Sequence, residues 1–349
     1  MRIAVQGETL LERLALRSGR VPLPALQSLA GMALPGVLVA TVRLGLLERL
    51  AARKATPEQL AEDLSLRADT TRLLLEALRA LGYVRAGRRG RYAPTRAARR
   101  WLLADSPRSV RSYVASHEEY WPWWSRLPEH AGGAAVVDHH LAPADSPYWR
   151  EYIEGQYELA RFSAPEFAAA VRVPEKARHV LDVGGGHGWY AAQLCARHGG
   201  LRATVLDLPG SVAVGRRIIA DAGWASRVDH REGDARTAQL GSGHDVLLCL
   251  NLLHHLRPEE IPPLLHRFRA ALRPGGTLAV LDLFARDPDQ RGPDATAAGL
   301  GLLFHLSSGA SLHGRRQLLD WLAESGFVEP RSTELRRIPG QVLFQAVAG

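Results

Sequence analysis

The sequence predicts an α/β protein whose parallel sheet is preceded by an all-helical, winged-helix-like region. Three observations carry this. From Arg178 onward, short apolar runs alternate with helical patterns, and strands alternating with helices mean crossover units and a parallel sheet. One of those runs ends in a glycine-rich turn that opens a helix. Residues 1–105, by contrast, read almost entirely as helix. A chain of 349 residues is long enough for two domains with separate cores. We place a winged-helix-like domain at 1–105, a helical segment at 106–170 and the sheet domain at 171–349.

In chain order, the stretch beginning at Pro35, PGVLVATVRLGLLERLA, has apolar residues at helical spacing. The most apolar run, Leu29 to Leu47, is broken by Pro35 and carries Arg43, so it reads as a buried helix rather than a membrane span. Thr56-Pro-Glu-Gln59 is a capping box with proline at the first helical position. A helix over 67–83 is stopped by Gly82. Val84 to Thr95 forms a small hairpin around Gly87 and Gly90, which completes the winged-helix pattern. Arg85, Arg88, Arg89, Arg91, Arg96, Arg99 and Arg100 can track phosphates. The helix at 71–81, however, is rich in leucine where a DNA-reading helix needs polar side chains, so no nucleic-acid partner is expected.

Residues 106–170 put four of the eight tryptophans in Tyr120-Trp-Pro-Trp-Trp124 and Tyr148-Trp149. Trp101 and Trp321 are assigned to the core. Strands follow at HVLDV, RATVLDL, VDHREGD, HDVLLCL and TLAVLDL, with a closing antiparallel pair at Phe327 and Val342.

Composition narrows the class. Hydrophobic residues make up 46% and charged residues 23%, an ordinary globular profile. The net charge is +8, almost wholly from arginine, since Lys54 and Lys176 are the only lysines. Such a charge suits nucleic acid or an enzyme taking anionic ligands. Cys195 and Cys249 lie in apolar surroundings and read as buried free thiols, which fits a cytoplasmic protein. The N-terminal residues turn polar too soon for a signal peptide.

The strongest signal is HVLDVGGGHGWYAAQL, His179 to Leu194. Glycines at 184–188 let a ligand lie against the backbone, and the helix start offers free N–H groups to a carboxylate or phosphate. A dinucleotide pattern would need a third glycine where Trp189 stands. The spacing G-x-G-x-G at Gly184, Gly186 and Gly188 is instead that of S-adenosylmethionine sites. Asp207 ends the next strand, where it can accept from both ribose hydroxyls. Asp234 ends the third, where it can accept from an adenine amino group. These residues share the carboxyl edge of the sheet, the usual ligand edge.

On VLDVGGGHG, ATVLDLP, EGDA, NLLHHL and LRPGG, the chain resembles the plant caffeic-acid-type and bacterial polyketide-tailoring O-methyltransferases. The resemblance covers nearly the whole chain. It implies a class I methyltransferase, Rossmann-like sheet domain that binds S-adenosylmethionine and releases S-adenosylhomocysteine. It also implies an N-terminal dimerisation domain, a homodimer, and a small aromatic substrate bound by the Trp-rich helices, with no membrane partner. Asp182, Gly184, Gly186, Asp207, Leu208, Asp234 and Ala235 become the expected cofactor residues. Trp121, Trp124, Trp149, Tyr152, Phe162 and Phe304, with His305 as a polar contact, become the expected substrate wall.

The family motif puts His254 at the position of the catalytic base, with His255 and Leu256 replacing the Asp-Trp that follows it. Asp282 ends the fifth strand and matches the acid that orients the histidine, holding one tautomer. The plant family's second acid falls at about Leu312 and is missing. The fourth strand reads as Asp245-VLLCLNLL; if its geometry persists past Leu253, His254 and His255 point to opposite sides, and His255 is a cap or surface residue. No tight ligand spacing such as H-x-x-x-H supports a metal. The acceptor is expected to be a hydroxyl of an aromatic secondary metabolite. Carbon or nitrogen methylation, or a non-methylating use of the cofactor, is the alternative.

Overall fold

A computed structural model describes Gly7 and residues 9–285, 295–337 and 340–349. The chain divides into two compact units, residues 1–118 and 119–349.

The first unit comprises helices α1 (Leu10–Arg17), α2 (Leu23–Arg43), α3 (Leu46–Ala52), α4 (Pro57–Leu64) and α5 (Ala68–Ala80), strands β1 (Val84–Ala86) and β2 (Tyr92–Pro94), and helices α6 (Arg96–Trp101) and α7 (Arg111–Ser116). The capping box forms as expected: Thr56 accepts from the Gln59 N–H, and the Gln59 side chain accepts from the Thr56 N–H. The hairpin is antiparallel, Val84 facing Pro94. Leu46, Leu50, Leu60, Leu75 and Leu78 fill the core between the helices.

Three expectations need correction here. Pro35 does not break its helix but sits inside α2. The carbonyl that loses its partner belongs to Gly31, four residues back on an exposed stretch where water can serve it. The interruption falls instead at Gly45, in the left-handed region at φ 66°. Nor is the apolar run simply buried. In α2 only Val39, Thr41 and Val42 are covered, while Leu26, Leu29 and Met32 are exposed. The helix is long and apolar enough to cross a membrane, with 17% of its apolar window buried. Finally, α7 belongs to the first unit: the Arg111 guanidinium donates to the Val42 carbonyl at 3.1 Å and pairs with Glu48 at 3.2 Å. Residues 106–118, expected to open the second segment, therefore close the first.

The second unit contains α8 (Tyr120–Ser125), α9 (Leu127–Ala131), a 3₁₀ turn at His139–Leu141 and the long helix α10 (Pro147–Ala170). Then follow β3 (His179–Val183), α11 (Trp189–Arg197), β4 (Arg202–Asp207), α12 (Pro209–Asp221), β5 (Val228–Glu232), β6 (His244–Leu250), a second 3₁₀ turn at Leu253–His255, α13 (Ile261–Ala271), β7 (Leu272–Leu283), α14 (Ala295–Ser308), α15 (Arg315–Glu324), β8 (Phe327–Glu334) and β9 (Gln341–Ala348). The seven strands are ordered β5-β4-β3-β6-β7-β9-β8. The first five in that order are parallel, and β9 runs antiparallel between β7 and β8.

Strand periodicity sorts the core into two layers. Leu181, Val183, Leu247, Cys249, Leu278 and Val280 face α13 and α15 on one side. Val180, Val246, Leu248, Ala279 and Leu281 face α11 and the end of α10 on the other. Strand order reverses between β3 and β6, which opens a crevice at their carboxyl ends.

Candidate active site

The glycine loop leaves β3 at that crevice. Gly184, Gly186 and Gly188 all take positive φ, at 69°, 50° and 67°, a region closed to most side chains. The loop is tied to its neighbours by the Gly184 N–H donating to the Leu206 carbonyl at 2.8 Å and the Gly186 N–H donating to Asp207 Oδ2 at 2.6 Å. His187 accepts from the Trp189 N–H at 3.0 Å. Burial, reinforced by His230, pushes its pKa down to about 3, so it is a neutral cap.

Asp182 and Asp207 are the two buried acids of the cradle. Neither oxygen of Asp182 has a hydrogen-bond partner among the described residues. Burial, with the neighbouring charge of Asp207, pushes its pKa up to about 8. An orphaned buried carboxylate of this kind calls for a cationic ligand group. Burial also raises Asp207, against the N–H groups of Leu208 and Gly186 that favour its charge. Its oxygens retain lone pairs for hydroxyl donors.

Asp234 lies at the same edge, but its carboxylate accepts from the Arg236 guanidinium at 3.1 Å. Leu208 precedes α12, its N–H donating to Asp207 Oδ1 at 2.7 Å, and Ala235 gives its carbonyl to Arg267 at 2.6 Å.

At the far side of the crevice, His254 is buried, and its Nδ1 lies 2.5 Å from Asp282 Oδ1. Asp282 is also fixed by the N–H groups of Leu253 and Leu283. With Nδ1–H given to the carboxylate, the lone pair sits on Nε2, which has no protein partner among the described residues. Phe304 stacks on the ring at 3.8 Å and 23°.

His255 departs from expectation. The chain leaves strand geometry after Leu250 and enters a 3₁₀ turn, so the two rings stand side by side, 4.2 Å between centroids. His255 is half-buried, and desolvation, with the charges of His140 and His254, drives its pKa well below the ordinary value.

The expected aromatic wall is divided. Tyr152 stacks on Tyr148 at 5.3 Å and meets His140 edge-on at 5.7 Å, near the histidines. Trp121 and Trp124 are largely exposed on α8, and it is Trp123 that turns inward to stack on His139 at 4.1 Å. Phe162 is half-buried on α10, and His305 is exposed. Trp149 is a core residue: its indole covers Gly210, and its N–H donates to the Ala142 and Pro143 carbonyls.

Several positioning residues were not read from the sequence. His313 lies 3.0 and 3.1 Å from the Leu253 and Leu256 carbonyls, pinning both ends of the histidine turn. Asn251, left-handed at φ 52°, accepts from the Gln341 side chain of β9 at 3.0 Å. His230 holds the Gly186 carbonyl at 3.1 Å. A buried histidine facing a carbonyl, or an asparagine braced by a strand ninety positions away, has no local sequence pattern.

A family profile described as an O-methyltransferase domain matches residues 129–327, and one described as an O-methyltransferase dimerisation domain matches 26–104. The chain belongs to the O-methyltransferase family. The O-methyltransferase for 3-hydroxy-5-methyl-1-naphthoate from Streptomyces sahachiroi is 31% identical over 310 residues, 84% of this chain and 86% of that one. The aclacinomycin 10-hydroxylase RdmB of Streptomyces purpurascens is 43% identical over 105 residues, 30% of this chain and 28% of its own. The fold is shared with human N-acetylserotonin methyltransferase, at a TM-score of 0.81 and 20% identity, covering 99% of this chain and 100% of that one. As an O-methyltransferase, the chain takes S-adenosylmethionine as its cofactor, and the orphaned Asp182 carboxylate fits its cationic amino-acid end.

Proposed function

We propose that this O-methyltransferase methylates a hydroxyl of an aromatic, polyketide-like secondary metabolite. The observation that carries the reading is the His254–Asp282 pair, buried beneath Phe304 with Nε2 free. When bound, S-adenosylmethionine supplies a methyl group already activated toward an oxygen nucleophile. Asp182 and Asp207 with the loop at Gly184 and Gly186 hold it, and Leu208, Asp234 and Ala235 line the same edge. A phenol titrates near ~10, so His254 contributes by taking its proton at Nε2 while Asp282 stabilises the resulting cation. Phe304 and Tyr152 supply flat apolar surface for an aromatic ring. The test is to screen phenolic polyketides by mass spectrometry; the expected product carries one added CH₂ and forms with stoichiometric S-adenosylhomocysteine.

The hydroxylase relative favours a second reading, in which the cofactor only positions a different reaction. Product formed equally well with S-adenosylhomocysteine would establish that reading over methyl transfer.

Asp182 makes cofactor binding pH-dependent. Its raised pKa means that the protein alone holds a proton there below about 8. A cationic ligand favours the ionised form, so binding expels that proton. Affinity for S-adenosylmethionine is expected to rise with pH toward about 8 and to fall above it, where the ligand's own α-ammonium loses its proton. Calorimetry in buffers of different ionisation enthalpy reads the proton release directly.

We further infer a homodimer in which the exposed apolar faces of α1 and α2 are covered by the partner. Placing glutamate at both Leu29 and Met32 is expected to shift the protein to monomer in analytical ultracentrifugation. Free, buried Cys195 and Cys249 suit a cytoplasmic setting.

A further inference from the structure

We propose that Asp138 and His140 form a second hydrogen-bonding dyad in the acceptor chamber, binding a second substrate oxygen beside the one that is methylated. The proposal rests on the reading that His254 meets the acceptor hydroxyl.

The arrangement mirrors the first dyad. His140 Nδ1 lies 2.9 Å from Asp138 Oδ1, and the same oxygen accepts from the His140 backbone N–H at 3.0 Å. The other oxygen faces the Arg236 guanidinium at 3.9 Å. Burial pushes the Asp138 carboxyl up, but the hydrogen bond and charge of His140 and the charge of Arg236 outweigh it and hold the pKa below its ordinary value. Asp138 thus stays ionised, and its hydrogen bond orients the ring in the way that the bond to Asp282 orients His254. Trp123 stacked on the adjacent His139 steadies the turn.

As at His254, the outward nitrogen of His140 has no protein partner among the described residues. His255 packs against both, its ring centroid 4.2 Å from each of theirs. The His254 and His140 rings are therefore at most twice that distance apart. Two oxygens on neighbouring ring carbons, each in one hydrogen bond of about 2.8 Å, span a distance of that order, so the edge of one ligand can reach both imidazoles. Tyr152, edge-on to His140, extends the aromatic wall to this side. Asp138 also caps the 3₁₀ turn at His139–Leu141, which fixes the dyad to the backbone. The ligand class that fits is an aromatic ring with two adjacent oxygens. The outward nitrogen accepts from the second hydroxyl, or donates to its anion when protonated.

The test compares 2,3-dihydroxynaphthalene with 2-naphthol, measuring Kd by calorimetry on the enzyme loaded with S-adenosylhomocysteine. Uptake of S-adenosylhomocysteine by each variant serves as the check on folding. The diol is expected to bind the wild-type protein ~10-fold more tightly. His140→Ala and, separately, Asp138→Asn should each reduce that preference to under ~3-fold. A wild-type preference near unity, a preference that survives both substitutions, or no binding of either probe overturns the proposal. Failure of the His254 reading shows differently, as a wild-type enzyme that methylates neither probe, because the affinity ratio does not depend on turnover.

Discussion

His254→Ala is expected to slow methyl transfer by ~10²–10⁴-fold, the usual contribution of a positioned base. Its Nδ1 is already committed to Asp282 at 2.5 Å, and Nε2 is the one imidazole nitrogen left for a substrate proton. The other carboxylate-anchored imidazole among the described residues, His140, is assigned to the neighbouring substrate oxygen rather than to the one methylated. The neighbouring His255 is packed against the His140, His254 and Phe304 rings. Asp282→Asn should fall by a similar factor and lose stability as well, since Asp282 also accepts from the Leu253 and Leu283 N–H groups. An unsatisfied buried partner costs roughly 1–3 kcal/mol. Single-turnover release of S-adenosylhomocysteine separates these effects from binding. A loss below ~10-fold for His254→Ala would assign the catalysis chiefly to holding oxygen, carbon and sulfur in line, an effect that can be as large as base catalysis.

Gly215→Ala should raise the Kd for S-adenosylhomocysteine more than ~10-fold, although residue 215 lies on α12 and outside the loop. A Cβ at Gly215 would fall 2.3 Å from the Gly186 carbonyl oxygen and 2.5 Å from His230 Nε2. Both are the groups that set the shape of the cradle, joined by their own hydrogen bond at 3.1 Å. The backbone at Gly186, at φ 50°, has little room to retreat. Overpacking of this kind costs about 1–3 kcal/mol, so the Tm should fall as well. Gly299→Ala is the control: a Cβ there meets nothing within 4 Å, and alanine in an exposed helix should be neutral or mildly stabilising.

The α/β class and the glycine loop were legible because their signals are local. Strand-length apolar runs, the G-x-G-x-G spacing and the Thr56 capping box each act within a few residues. The same locality explains what was missed. Leu250 to His255 was extended as a strand, so the two histidines were set on opposite faces. The chain instead tightens into a 3₁₀ turn because Asp282, from β7, captures the Leu253 N–H, and His313, from before α15, takes the carbonyls of Leu253 and Leu256. Those partners are distant in sequence. Trp123 was passed over for its neighbours because a short proline-containing helix gives no period long enough to choose its buried face. The exposed apolar half of α2 escaped for another reason: hydropathy records that a surface is to be covered, not whether the same chain covers it.

The bond from Gln341 to Asn251 bears on the order in which the enzyme matures during synthesis. β9 inserts between β7 and β8, although it follows both in the chain. Since domains fold as units and β3 needs β6 beside it, the sheet of a nascent polypeptide closes only once the last strand has left the ribosome, and the brace from Gln341 to Asn251 is among the final contacts made.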